Sequence, residues 1–495
     1  MFREFQTSLG KVRGAIEGDV VRVSRLRYGK GPIGGRRFKL PEAIEPWEGM
    51  VDASGATVMA PQWPARLAAV MGEYGIEQSE DCLHLDLWLP TAVSGGKPVL
   101  VFLHGGAFIS GGGGMPCYDG SLLATRGDLI VVNVSYRLGI LGYLPIEGVA
   151  PPNLGLHDQR LALRFIRKEI AAFGGDPDRI TVVGQSAGAL SIAHLLGLAR
   201  KESLFRRAVL LSAPLGMPLQ HENETRDLAA SFLSRLSIMP GDAEALSTAP
   251  IGDLLNAQRD LLIASAARGE PGDIGIPFKP VIDGDLITRH PLDDATYQTW
   301  CPLMVGATRE EFGAFWFGRA DLVARAEELL PMLFSKAFPG RHDEAIAAFR
   351  ARRPGGDAFA VWSDLKTELE FLRPSIELLN RRAVGGGEGY AYQFDWSPPG
   401  SSIGACHCIE LPFLFGNLDT WEAAPMLAGA DNQEVEALTR AFQGAIIRFV
   451  RNGTPGSGTG LDWPKFEAGG PVLHFDRQIS AHSTPFVRQS TGERP

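Results

Sequence analysis

Residues 180–199 read ITVVGQSAGALSIAHLLGLA, and this stretch decides the fold. Its first four residues are an apolar, β-branched run, as expected of a strand buried on both faces. Its last thirteen, 187–199, have the Ala and Leu content of a helix. Between them lies Gly184-Gln185-Ser186-Ala187-Gly188. A strand that passes into a helix within so few residues must turn sharply, and the two glycines allow close backbone approach. The turn presents Ser186 above the strand end and sets it at a helix N-terminus, where developing negative charge is favoured.

The same alternation extends in both directions. PVLVFLH (98–104), LIVVNVSY (129–136), RAVLLSA (207–213), PLMVGAT (302–308) and YAYQFDW (390–396) read as strands. DQRLALRFIRKEIAAFG (158–174) has helical spacing, and Gly174-Gly175-Asp176-Pro177 stops it. Short apolar strands separated by helices predict a mostly parallel central sheet flanked by helices, the α/β class. Residues 320–383 are rich in Ala, Leu, Arg and Glu, which predicts helical cap insertions over about 315–385. The chain, residues 1–495, is longer than the usual limit of one core. It is read as one domain with large insertions, because no sharp boundary or internal repeat breaks the pattern.

Composition narrows the function classes. The net charge is −9 and no Lys/Arg stripe is present, which argues against nucleic acid as a partner. No apolar run is long enough to span a membrane. The N-terminus, MFREFQTSLGKVRG, lacks the apolar segment of a signal peptide. Five cysteines in so long a chain do not form a disulfide framework, so a cytoplasmic protein, monomer or homodimer, is expected.

Two further segments give chemistry to Ser186. His104-Gly105-Gly106-Ala107 follows the strand at 98–104. In hydrolases with a G-x-S-x-G turn, such a glycine segment supplies backbone N–H donors to an oxyanion hole, together with the residue after the nucleophile. Gly106, Ala107 and Ala187 are the expected donors, with His104 structural. A serine also needs a base and a third group to orient it. In α/β-hydrolases the order along the chain is Ser, acid, His. The histidines after Ser186 are His194, His221, His290, His342, His407, His474 and His482. His194 lies in the helix that follows the serine, too close to fold back. His407 sits in the small-residue loop GACHCIELPFLFG, where the base is expected. Its neighbours Cys406 and Cys408 do not make a zinc pattern, and the chemistry needs neither metal nor organic cofactor. Arg309-Glu310-Glu311 follows the strand at 302–308 directly, and pattern alone leaves Glu310 and Glu311 open as the acid. Phe108, Phe315 and Trp316 are candidates to line a pocket.

These segments resemble the type-B carboxylesterases, which include cholinesterases and bacterial p-nitrobenzyl esterases. Ser79-Glu80-Asp81-Cys82-Leu83 resembles the family's second signature, and Gly184 to Gly188 its nucleophile signature. Asn133-Val134-Ser135-Tyr136-Arg137-Leu138-Gly139, Phe173-Gly174-Gly175-Asp176-Pro177 and Trp463-Pro464 fit as well. The resemblance covers nearly the whole chain. It implies an α/β-hydrolase fold, hydrolysis of small to medium carboxylic esters through an acyl-enzyme, and the triad Ser186, Glu311 and His407. It also implies Gly106, Ala107 and Ala187 as oxyanion donors. The family's acidic pair is typically followed by Gly, where this chain has Phe312. No cysteine precedes Cys82, so the bridge of secreted relatives cannot form. Residues 71–78, MGEYGIEQ, lack the Trp with which cholinesterases hold a quaternary ammonium, and Gln185 stands where many relatives carry Glu. Choline esters are therefore not expected. Two other functions remain open to the sequence: hydrolysis of carbamates, lactones or long acyl chains, and a silent scaffold role, against which the intact Ser186 argues.

Overall fold

The computed structural model describes residues 1–92, 95–296, 298–456 and 462–483. One sheet organises them. Its strands are β1 (Phe2–Gln6), β2 (Lys11–Glu17), β3 (Val20–Arg27), β4 (Met50–Asp52), β5 (His84–Pro90), β6 (Lys97–Leu103), β7 (Ile130–Val134), β8 (Gly175–Gln185), β9 (Arg207–Leu211), β10 (Leu303–Thr308), β11 (Gly389–Phe394), β12 (Val472–Phe475) and β13 (Ser480–His482). Their order is β1-β2-β3-β5-β7-β6-β8-β9-β10-β11-β12-β13, with β4 beside β2. From β7 to β12 every neighbouring pair is parallel, and antiparallel strands finish both edges. The parallel centre explains the uninterrupted apolar runs. Val99 to Leu103 are fully buried, because helices cover both faces of the sheet. The edge strand β1 alternates between exposed and half-buried residues, since one face meets water.

Two apolar layers occupy the two faces of the sheet. One contains Val99, Val101, Leu103, Ile180 and Val182, and the other Leu100, Phe102, Val183, Phe413 and Phe442. A third apolar cluster stands apart. The helices Ala320–Ala337, His342–Arg352 and Ala358–Thr367 bury Leu330, Phe334 and Trp362 against Phe312, Trp316 and Phe371. The helix Arg373–Val384 returns to the sheet, where Leu378 and Leu379 join the first layer.

The strand order places the site. After β6 the chain moves to β7 on one side, then returns to β8 on the other and continues to β9. The connections therefore diverge between β6 and β8, and in open α/β sheets ligands bind beyond the carboxyl ends of strands at such a point. His104 to Ala107 leave the end of β6, and Ser186 leaves the end of β8.

Candidate active site

Ser186 joins β8 to the helix Ala187–Glu202 with φ 55° and ψ −121°, a conformation that non-glycine residues rarely adopt. Its N–H bonds the Leu211 carbonyl at 2.9 Å, which ties the turn to the next strand. The flanking glycines are sterically required. A Cβ on Gly184 would lie 2.6 Å from the Gly188 carbonyl carbon, and one on Gly188 would lie 2.0 Å from the Leu103 oxygen.

The loop after β6 is equally constrained. Gly106, Ala107 and Phe108 have φ of 112°, 54° and 61°, three positive values in succession. The Gly106 carbonyl accepts from the Ile109 and Ser110 N–H groups at 3.0 Å. The Phe108 carbonyl accepts from the Gly139 N–H at 2.6 Å. The carbonyls are thus satisfied on the protein side. The N–H groups of Gly106, Ala107 and Ala187 find no acceptor among the described residues, and all three residues line one pocket with Ser186. Ala187 is buried and Gly106 and Ala107 are half-buried, and the three donors open onto the pocket of one hydroxyl. His104 lies behind this loop, stacked on Tyr136 at 4.4 Å, and burial pushes its pKa down to about 4.

His407 is buried against the rings of Phe315 and Phe371, at centroid distances of 4.8 and 5.4 Å. Its Nδ1 is hydrogen-bonded to Oε2 of Glu311, which is fully buried. The other carboxylate oxygen of Glu311 accepts the Thr308 N–H at 2.7 Å. With Nδ1 carrying the proton toward Glu311, Nε2 is an acceptor, and the Gln185 side-chain amide donates to it at 3.2 Å. Ser186 Oγ makes no hydrogen bond to His407 in this structure. Such bonds often close only when substrate is bound.

Glu310, the other acid that the sequence left open, turns away from His407. Its carboxylate accepts from the Ala405 N–H at 2.8 Å and from Arg353 Nη2 at 2.9 Å. Burial alone would raise its pKa, but Arg353 and Arg309 hold it below the usual carboxylate range. Glu310 therefore anchors the His407 loop to the third apolar cluster through Arg353, which also bonds Asp364 at 2.6 Å. Among the other histidines, His194 is buried in the helix after Ser186, with its pKa pushed down to about 3. His474 is paired with Asp395 at the sheet edge, away from the pocket.

The pocket is lined mainly by Leu67, Met71, Phe108, Met115, Tyr118, Met217, Ile274, Ile276, Phe315 and Phe371. Phe108 and Phe315 are there as considered from sequence. Trp316 is not: it packs on Trp362 at 4.6 Å, and its indole N–H bonds the Gly272 carbonyl at 2.9 Å. The remaining liners come from segments far apart in sequence that carry no motif. Among the described residues, no helix is long and apolar enough to cross a membrane, and no three His, Cys, Asp or Glu side chains group as metal ligands.

The family model for the carboxylesterase family matches residues 3–490. The chain belongs to that family. It is 34% identical to the para-nitrobenzyl esterase of Bacillus subtilis (strain 168), over 97% of this chain and 96% of that protein. It is 35% identical to the phenmedipham hydrolase of Pseudarthrobacter oxydans, over 94% and 93%. A solved PNB esterase superposes with a TM-score of 0.85 at 33% identity, covering 97% of both chains. A Geobacillus stearothermophilus carboxylesterase does so with 0.85 at 31%, covering 98% of both. The fold is that of the α/β-hydrolases, and this carboxylesterase is a serine esterase that hydrolyses carboxylic esters.

Glu410 is a buried acid behind the site with one oxygen engaged, by the Ser212 hydroxyl at 2.9 Å, and the other without a partner. Burial first, and then the nearby Glu311 carboxylate, push its pKa from 4.5 up to about 8. The native protein therefore holds this proton more tightly than the unfolded chain does. Its contribution to stability is complete below pH 4.5 and is lost as pH rises toward 8. Glu410→Gln, which keeps the neutral form, is expected to remove a fall of at most about 1.4 kcal/mol per pH unit across that window. Urea-unfolding midpoints of both proteins from pH 5 to 8.5 would check this, and parallel pH dependences would refute it.

Proposed function

We propose that Ser186, His407 and Glu311 carry out this hydrolysis in two acyl-transfer steps. The reading is carried by one observation: a buried Glu311–His407 pair meets Gln185, next in the chain to a strained serine that shares its pocket with three unpaired N–H groups. Ser186 Oγ attacks the ester carbonyl carbon while its proton passes to His407 Nε2. The N–H groups of Gly106, Ala107 and Ala187 hold the oxyanion, each contributing about 3 kcal/mol in the transition state. The C–O bond to the alcohol breaks, and the alcohol leaves with the proton from Nε2. Water then attacks the acyl-enzyme, gives its proton to Nε2, and the acid departs as Ser186 regains a proton. Glu311 fixes the tautomer of His407 and stabilises its cation. The steps need no metal or organic cofactor.

The apolar pocket supports small to medium esters as substrates. The name of the para-nitrobenzyl esterase relative is consistent with aromatic esters. The whole chain works as one catalytic domain, and the helices from Ala320 to Thr367 form its cap, holding Phe371 over the site. All proposed catalytic groups come from a single chain, which fits a monomer or homodimer. The five cysteines are free and buried, which favours a cytoplasmic setting.

A fluorophosphonate should label one serine per chain, and peptide mapping should place it at Ser186, with loss of p-nitrophenyl acetate hydrolysis in proportion to labelling. Full activity after complete labelling, or label on a different serine, would refute the assignment.

A further inference from the structure

The pocket that contains Ser186 carries one charged side chain among its described lining residues, Arg66, and no acid. The position of Arg66 is built by its own segment. Gln62 bonds the Gly111 carbonyl at 2.8 Å and accepts the Gly111 N–H at 2.7 Å, which couples the segment to the oxyanion loop. The Trp63 indole N–H bonds the Leu255 carbonyl at 2.9 Å, and the Arg259 guanidinium lies 4.8 Å over the Trp63 ring. Among the described residues, the hydrogen bonds of Arg66 go to backbone alone. Nη1 donates to the Ile274 carbonyl, and Nη2 donates to that of Gly275 at 3.2 Å. Nε–H and one N–H on each terminal nitrogen are left over.

No carboxylate among the described residues pairs with this guanidinium or acts on its ionisation. Other arginines of the chain behave differently: Arg37 grips Glu80, Arg137 grips Asp158, and Arg353 grips Glu310 and Asp364. At the pocket floor, Gln185 is a neutral amide where a carboxylate would repel an anion. The pocket therefore presents an unpaired planar cation and several N–H donors with no opposing negative charge, inside a protein whose net charge is −9. A guanidinium with free N–H groups matches a carboxylate in geometry as well as charge.

Resting on the esterase reading above, we propose that the preferred substrates are esters that carry a carboxylate away from the scissile bond, and that Arg66 is the residue that reads it. The apolar walls hold the body of the ester, the oxyanion loop holds the reacting carbonyl, and Arg66 takes the distal anion at the mouth. Esters with a distal ammonium are disfavoured by the same charge.

The test uses two matched pairs of esters on the full chain. Mono-p-nitrophenyl adipate against p-nitrophenyl hexanoate places the charge on the acyl side. 4-Acetoxyphenylacetate against 4-ethylphenyl acetate places it on the alcohol side. In at least one pair, the preference of kcat/KM for the acid is expected to fall about tenfold on Arg66→Gln, chiefly through KM. Arg66→Lys should keep part of it, and raising the salt to 0.5 M should weaken it in the wild type. A purely structural Arg66 would lower both esters of a pair by the same factor, and that result overturns the proposal. So does an unchanged preference in Arg66→Gln. Wild type inert on all four esters would instead overturn the esterase reading beneath it, whereas turnover with no preference for the acid in either pair overturns this proposal alone.

Discussion

Ser186→Ala is expected to lower kcat on p-nitrophenyl acetate by about 10⁴-fold or more while the fold persists. The loss follows from removing the atom that forms the acyl-enzyme. The retention of fold follows from the backbone: Ala tolerates φ 55° no worse than Ser, and the bond from N–H of this residue to Leu211 is main-chain and survives. His407→Ala should cost about as much, because without Nε2 the hydroxyl has no acceptor for its proton. The double variant should be little worse than either single one, since the groups act as a unit. What remains above the rate in water should come from the N–H groups of Gly106, Ala107 and Ala187, which neither change touches. Initial rates and urea-unfolding midpoints on all variants check this. If Ser186→Ala kept more than a tenth of the wild-type kcat with an unchanged midpoint, the nucleophile would be a different group.

The parts of the fold that were legible are those where one physical demand acts on consecutive residues. β6, β8 and β10 are buried on both faces, so their sequences are continuous apolar runs and their limits agree with the structure to within a few residues. β8 begins five residues before its apolar run, because Gly175 already pairs with Lys97, and Asp176 to Arg179 bulge out toward solvent before Ile180 resumes the pairing. The edge was harder. β1 has an exposed and half-buried alternation, and β13 spans only Ser480–His482, too short for a period to appear. At the site, the turn of Ser186 and the loop of Gly106 and Ala107 were legible because steric limits force glycines at fixed positions. The pocket was not. Phe371 reaches it from a single wide turn, Glu368–Leu372, and Ile274, Ile276 and Met217 from irregular segments. Such residues are chosen by their place in space, and nothing in their neighbours records it. Trp316 shows the converse, being a large aromatic close in sequence to Glu311 that faces the cap and not the ester.

The adjacent acids give the sharpest separation of roles. Glu311→Gln is expected to lower kcat by about 10³–10⁴-fold with little effect on KM. An amide at this position can offer N–H to His407 Nδ1, which moves the ring proton to Nε2. The nitrogen that must accept the serine proton is then already occupied. The Thr308 N–H and the buried setting are unchanged by the replacement, so the loss falls on chemistry. Glu310→Gln is expected to do the opposite. It weakens the tie between Arg353 and the His407 loop, at a cost of about 2 kcal/mol, while Asp364 continues to hold the guanidinium. Its kcat should stay within about tenfold of wild type, because the Glu310 carboxylate is held by Ala405 and Arg353 while the His407 ring is held by Glu311. Sequence could not divide the pair because both follow β10 directly. The structure divides them by one residue of backbone: Glu310 stands before the helix Glu311–Phe315, with φ −122° and ψ 57°, and its carboxylate points toward Ala405 and Arg353. Glu311 opens that helix and turns inward to His407. Steady-state kinetics and unfolding midpoints on the two variants should therefore cross, one losing rate and the other stability. If Glu310→Gln lost the rate and Glu311→Gln kept it, the acid of the triad would be Glu310.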